Sequence, residues 1–162
     1  MLVLGIDPGT INLGYALVSH KSLKLTLLEA GVIKFKNKEL KDKILDLASF
    51  LVDICSKYEI DEIAIERLFF GHNPKGVLKL AEFRGAILLK VLELKGDYFE
   101  YTPLQIKSST TGNGKATKEQ VSFMVRKMLG IQKEIKPLDI TDAIAVAITH
   151  IQRRWFSKYL TW

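Results

Sequence analysis

Leu2-Val3-Leu4-Gly5-Ile6-Asp7-Pro8-Gly9-Thr10 sets the reading of the rest of the chain. Its nearly all-apolar opening predicts a strand over Leu2 to Ile6. Asp7-Pro8-Gly9-Thr10 then predicts a turn, because proline fixes φ and glycine permits unusual backbone angles. Outward from this turn, Leu13, Tyr15 and Leu17 alternate with smaller residues. Leu23, Leu25 and Leu27 alternate with Lys24 and Thr26 before the run reaches Phe35. Period-two alternation of this kind marks strands, so three successive strands joined by short turns predict an antiparallel meander.

From Leu40 the period changes. Apolar residues recur at Ile44, Leu47, Ala48, Leu51 and Ile54, the spacing of an amphipathic helix. A strand follows at Glu62 to Glu66, then a helix from Val77 to Leu94 and an extended segment from Tyr98 to Thr102. A Gly-rich loop, Thr111-Gly112-Asn113-Gly114, precedes another helix, whose start is signalled by Thr117 and, three residues on, Gln120, a capping-box pair. After Pro137 a last helix is expected through Asp139 to about Arg154. Hairpin-joined strands followed by strands alternating with helices imply an α/β fold, a mixed five-stranded sheet flanked by helices.

The 162 residues, 48% hydrophobic and 26% charged, suit one compact domain. Residues 1–154 are read as that domain and 155–162 as a C-terminal tail. A single cysteine, Cys55, excludes an intrachain disulfide, so the cytoplasm is the expected compartment. The chain opens directly on a strand-like stretch, without a basic leader, and no apolar run is long enough to span a bilayer, so neither export nor membrane insertion is expected. The formal charge is +6, and Thr102 to Pro137 holds seven basic residues, Lys107, Lys115, Lys118, Arg126, Lys127, Lys133 and Lys136, against Glu119 and Glu134. Such an excess suits a polyanionic partner, and it equally suits a solvated lysine face.

Four acids stand out by position. Asp7 ends the first strand and Glu66 closes the apolar Ile63-Ala64-Ile65, so both are expected at the rim of a hydrophobic sheet. Asp139 and Asp142 lie three apart at the start of the last helix, on one face and near the positive end of its dipole. Carboxylates held side by side repel unless a cation sits between them, and hard oxygen ligands suit Mg²⁺ or Mn²⁺. Taken singly, each acid has an ordinary alternative. Asp7 can simply shape its turn, Glu66 can be a solvated strand end, and Asp139 with Asp142 can cap a helix.

Several motifs occur in order: Gly5-Ile6-Asp7-Pro8-Gly9-Thr10 with Gly14-Tyr15-Ala16; Glu66 followed by Phe69-Phe70 and Asn73; Leu78-Lys79-Leu80 with Arg84-Gly85; Thr111-Gly112-Asn113-Gly114 with Lys118-Glu119-Gln120-Val121; and Asp139-Ile140-Thr141-Asp142-Ala143 through Ala147-Ile148-Thr149-His150. In combination they resemble the RuvC-type Holliday-junction resolvases over roughly Met1 to His150. That resemblance implies a ribonuclease-H-like fold, a homodimer, and Mg²⁺-dependent paired nicking of a four-way DNA junction in recombination and repair. It implies two ions per subunit, held by Asp7, Glu66, Asp139 and Asp142, with Mn²⁺ able to substitute, and in-line attack by a metal-activated water. It further implies that Lys107 and Lys118 contact phosphate near the cut and that Phe69 touches a base at the unstacked crossover. Phe70, Asn73 and Lys115 join the DNA-contact set, and a RuvAB branch-migration complex is the implied partner. One departure from the family pattern is Arg67-Leu68 after Glu66, where a more acidic or polar pair is expected.

Other residues admit two readings. Phe69 and Phe70 suit stacking on unpaired bases, and equally a core. The Val77 to Leu94 helix is polar along one narrow stripe only, so it must be covered on more than one side, by a partner subunit or by its own domain. His20, His72 and His150 lack the spacing of a zinc site, and His150 reads as structural. The aromatic, basic tail from Trp155 to Trp162 is expected to pack on the body.

Three competing functions remain at this point. Asp7-Pro8-Gly9-Thr10 also resembles the phosphate-binding turn of actin-like ATPases, but such proteins need a second related domain that this chain is too short to hold. A junction-binding protein without catalysis has no need of all four acids. A related ribonuclease-H-like nuclease acting on RNA or other branched DNA differs from a resolvase only through the family motifs.

Overall fold

The computed structural model describes residues 1–36, 38–68 and 74–160. β1 (Leu2–Asp7), β2 (Asn12–Lys21) and β3 (Lys24–Lys34) form the expected antiparallel meander. With β4 (Glu62–Glu66) and β5 (Phe99–Tyr101) they make a mixed five-stranded sheet in the order β3-β2-β1-β4-β5. Parallel neighbours need long crossovers. α1 (Leu40–Lys57) brings the chain from β3 to β4 beside β1, and α2 (Pro74–Lys95) joins β4 to its parallel neighbour β5.

The strand period of two sorts the sheet's side chains onto two faces. Leu4, Ile6, Leu13, Leu17, Ile63 and Ile65 share one core with Leu47 and Leu51 of α1 and Phe83 and Ile87 of α2. Val3, Ala16, Val18 and Ala64 share the other with Ala143 and Ala147. Those two alanines lie on α5 (Leu138–Leu160), and α3 (Pro103–Thr111) and α4 (Lys118–Leu129) pack beside it.

The α5 face is built of small residues because the helix lies very close. A Cβ at Gly5 would stand 2.3 Å from the Ala143 carbonyl oxygen, and one at Gly14 would stand 2.1 Å from that of Asp139. Real side chains do not tolerate such separations from a backbone atom, so glycine at these two positions is what lets α5 seat on the sheet.

Two elements differ from expectation, α3 and α5, and α2 shows how far its own domain covers it. α3 was not predicted, although its start carries a clear signal. Thr102 accepts from the Gln105 backbone N–H, the Gln105 side chain accepts from the Thr102 N–H, and Pro103 opens the first turn. Lys107 therefore sits on a helix rather than beside a loop. α5 continues past Arg154 to Leu160, carrying Trp155 and Phe156 on an exposed helical surface. α2 buries Phe83, Ile87 and Val91 against the sheet, yet Leu78, Leu89 and Leu92 are 65%, 62% and 43% exposed, so within this chain its apolar surface is only partly covered.

Candidate active site

The acids meet because of strand register. β1 and β4 run parallel with Ile6 beside Ile65, so one step further on Asp7 and Glu66 emerge side by side at the same sheet edge. The period of two points both toward α5, as it does Gly5 and Ala64. Asp7 pairs with Gly14 across β1 and β2, and the first turn of α5 lies directly over Gly14, which brings Asp139 to the same edge. Asp142 follows one turn later. The turn after Asp7 is braced from α1, where Lys43 Nζ donates to the Thr10 carbonyl at 2.6 Å.

The lysines come from the other two helices on that face. Lys118 is the first residue of α4, just after the Thr117–Gln120 capping box, and its Nζ lies 2.5 Å from Asp142 Oδ2. Lys107 projects from α3 into the same cleft. Glu66, Lys107, Lys118 and Asp142 line a space of about 180 Å³ walled by Ile106 and Val121. A larger groove of about 780 Å³ lies by the far end of α5, between the β2–β3 turn and Trp155. Among the described residues no carboxylate lines it, so charge rather than size marks the site.

Electrostatically the cleft is overloaded with acid. Burial, then the neighbouring Glu66 charge and its hydrogen bond, then Asp142, push the Asp7 carboxyl up to about 9. Burial raises Glu66 as well, with the Asp142 charge adding to it and the Asp7 hydrogen bond opposing. Asp142, 14% exposed, is raised by burial against the pull of Lys118. Burial works to lower Lys118, but its bond to Asp142 and the charges of Asp7 and Asp139 hold it above its ordinary value.

This donor set fits a hard divalent cation. The candidate ligands are all carboxylate oxygens, and Asp7, Glu66 and Asp142 are raised first by burial and then by the charge of neighbouring carboxylates, which a bound cation would offset. Among the described residues, no three His, Cys, Asp or Glu side chains stand in a ready coordination cage. Asp142 is turned to Lys118 and Asp7 to Glu66, so those two contacts would have to open around an ion.

Of the residues singled out from the sequence, Asp7, Glu66, Asp142, Lys107 and Lys118 are brought together, with Asp139 adjoining. Lys115 is exposed in the turn between α3 and α4, where its N–H donates to Asn113 Oδ1, outside the cleft lining. Phe69, Phe70 and Asn73 lie outside the described residues. Gly5 and Gly14 were legible as motif residues, but their part in seating α5 was not.

The sequence profile described as crossover junction endodeoxyribonuclease RuvC matches residues 3–150. The chain belongs to the RuvC family. Over 153 residues, 94% of this chain, it is 58% identical to the crossover junction endodeoxyribonuclease RuvC of Sulfurovum sp. (strain NBC37-1), covering 96% of that protein. It is 59% identical to the one from Helicobacter pylori (strain ATCC 700392 / 26695), covering 98% of it. The fold agrees closely with that of T. thermophilus RuvC in complex with Holliday junction substrate. The TM-score is 0.89 at 31% identity, over 97% of this chain and 96% of that one. The yeast mitochondrial Holliday junction resolvase Ydc2 shares the fold at a TM-score of 0.72 and 18% identity, over 97% of this chain and 80% of that one. Membership of the RuvC family makes the chain an endodeoxyribonuclease with a ribonuclease-H-like fold, and sets aside the ATPase and the non-catalytic binder.

Proposed function

We propose that this chain resolves four-way DNA junctions by paired symmetric nicks that depend on Mg²⁺, during recombination and repair. The observation that carries this is the convergence of strand-end acids, the acids of α5 and two lysines in one cleft. In this reading Asp7, Glu66, Asp139 and Asp142 hold two divalent ions per subunit, with Mn²⁺ able to replace Mg²⁺. When bound, such ions activate water and offset charge on the attacking and leaving oxygens of a phosphodiester. Lys118 and Lys107 orient and neutralise the phosphate at the cleft mouth. Lys115, with Phe69, Phe70 and Asn73, contacts DNA farther from the cut.

The working unit is a homodimer. Two nicks placed symmetrically need two sites related by a two-fold axis, and the exposed Leu78, Leu89 and Leu92 of α2 supply an apolar surface that a second copy would cover. Residues 1–154 form the nuclease domain, and 155–162 are its C-terminal tail. No described helix is long and apolar enough to cross a membrane, and the cytoplasm is the proposed compartment. A RuvAB branch-migration complex is the proposed partner.

The test is cleavage of a four-way junction, a linear duplex and an RNA–DNA hybrid with added Mg²⁺. Paired nicks confined to the junction are the expected result. Preferential cutting of the hybrid would overturn the reading in favour of a ribonuclease.

A further inference from the structure

We propose that His150 is a positioning residue that fixes α5 lengthwise against the sheet, and so sets how closely Asp139 and Asp142 approach Asp7 and Glu66. The proposal rests on the metal-site reading above.

His150 is fully buried, and it lies on the same side of α5 as Asp142, with Val146 between them at helical spacing. Its Nδ1 is 2.7 Å from the Tyr101 hydroxyl and its Nε2 is 2.5 Å from Glu62 Oε2. Both partners frame Glu66. Glu62 opens the strand that Glu66 closes, and Tyr101 is the residue of β5 registered against Glu66. One turn further along α5, Arg154 grips the same Glu62 carboxylate at 2.6 Å and 3.1 Å. The imidazole is thus the junction between the helix that carries two of the acids and the strands that hold a third.

One protonation pattern satisfies every member. A neutral imidazole with its proton on Nε2 donates to the Glu62 carboxylate and accepts at Nδ1 from the Tyr101 O–H. Burial favours this form, lowering His150 despite the Glu62 charge, and burial likewise keeps the Tyr101 phenol protonated. Phe99 packs against the ring with centroids 4.5 Å apart, which limits rotation.

The rest of the contact explains why such a tie is needed. Gly5 meets Ala143 and Ala147, Gly14 meets the Asp139 backbone, and Ala16 and Ala64 share a core with those two alanines. Small residues bring helix and sheet close but interdigitate little, so they fix separation better than axial position. Directional bonds at His150 supply what that smooth surface lacks. Displacement of the acids by about 1 Å is enough to cost on the order of a hundredfold in a reaction that depends on alignment.

The experiment titrates Mn²⁺ into the junction-free full chain by calorimetry, with a melting curve for each variant. His150→Phe keeps the ring and removes both bonds, while Tyr101→Phe removes one. The expected result is Mn²⁺ affinity roughly tenfold weaker for His150→Phe and weakened less, in the same direction, for Tyr101→Phe, each below its melting temperature. Unchanged affinity with only a lowered melting temperature would overturn the proposal, leaving His150 a purely stabilising residue. Should His150→Phe fail to fold, Tyr101→Phe decides alone by the same criterion. Asp142→Asn is the control. If it binds Mn²⁺ as the wild type does, the metal-site reading itself fails, and the role assigned to His150 falls with it.

Discussion

Lys118 Nζ and Asp142 Oδ2 stand 2.5 Å apart, joining the first residue of α4 to the early turns of α5 across the cleft. A lysine bonded to a proposed metal ligand has two opposite effects. It competes with a cation for Asp142, and it offers a positive charge to the phosphate. Lys118→Ala should therefore slow junction cleavage by about 100-fold, since a preorganised charge at the reacting phosphate is lost. The same variant should half-saturate at lower Mg²⁺, and its junction affinity should change only slightly because many basic residues remain. Equal losses of cleavage and binding would reduce Lys118 to an ordinary surface charge.

Lys107 gives a second comparison from a different helix. It lines the same cleft, but among the described residues its ammonium has no carboxylate bond of the kind that holds Lys118 to Asp142. Lys107→Ala should slow cleavage without lowering the Mg²⁺ requirement by as much. A larger drop in that requirement than for Lys118→Ala would assign the two roles the wrong way round.

Asp7 should cost the protein stability as pH rises when no divalent ion is supplied. Its folded-state carboxyl is raised from 3.8 to about 9, chiefly by burial and by Glu66. Between those values the folded chain holds a proton that the unfolded chain releases, so stability present in acid is lost as pH climbs toward 9. Asp7→Asn carries no such burden. In EDTA its melting temperature should exceed that of the wild type by a few degrees at about pH 8, with a smaller gap near pH 5. Melting curves across that range check it, and a gap that narrowed with rising pH would contradict the assignment.

Gly5→Ala tests the seating of α5. The added methyl would meet backbone atoms of Ala143 and Ala147 rather than a flexible side-chain end, so the helix itself must move. A loss of about 1–3 kcal/mol in urea unfolding is expected, together with reduced cleavage. Wild-type stability and activity would show that the contact is less tight than described.

Leu89→Lys addresses the dimer. Leu89 is 62% exposed in the single chain, so the change should leave the fold intact while placing charge in an interface that needs apolar cover. Sedimentation should shift from dimer to monomer, and singly nicked junctions should accumulate. A dimer that survives the substitution would move the interface elsewhere.

Much of this architecture was legible in the sequence, and the limits have physical reasons. Period-two runs and an acid-Pro-Gly turn announced the meander, and strand-end acids announced themselves by terminating apolar stretches. α3 is masked in the sequence by Ser108, Ser109, Thr110 and Thr111, which are weak helix formers, although Thr102 and Gln105 carry the capping signal. The meeting of Asp7 with Glu66 depends on parallel register between β1 and β4, a long-range fact that local periodicity cannot contain. The His150 network is hidden for the same reason. Its partners Glu62 and Tyr101 lie 88 and 49 residues away.

The most direct test of the account is junction cleavage by Asp7→Asn in excess Mg²⁺, measured beside a gel shift of the same junction in Ca²⁺. Asparagine keeps the side chain's shape and removes the charge proposed to hold the cation, while the basic surface that supplies most of the DNA affinity is untouched. Cleavage lowered by about 100-fold or more, with junction binding retained, is the predicted result. Near-normal cleavage by the variant would contradict it, because Asp7 would then shape its turn and nothing more.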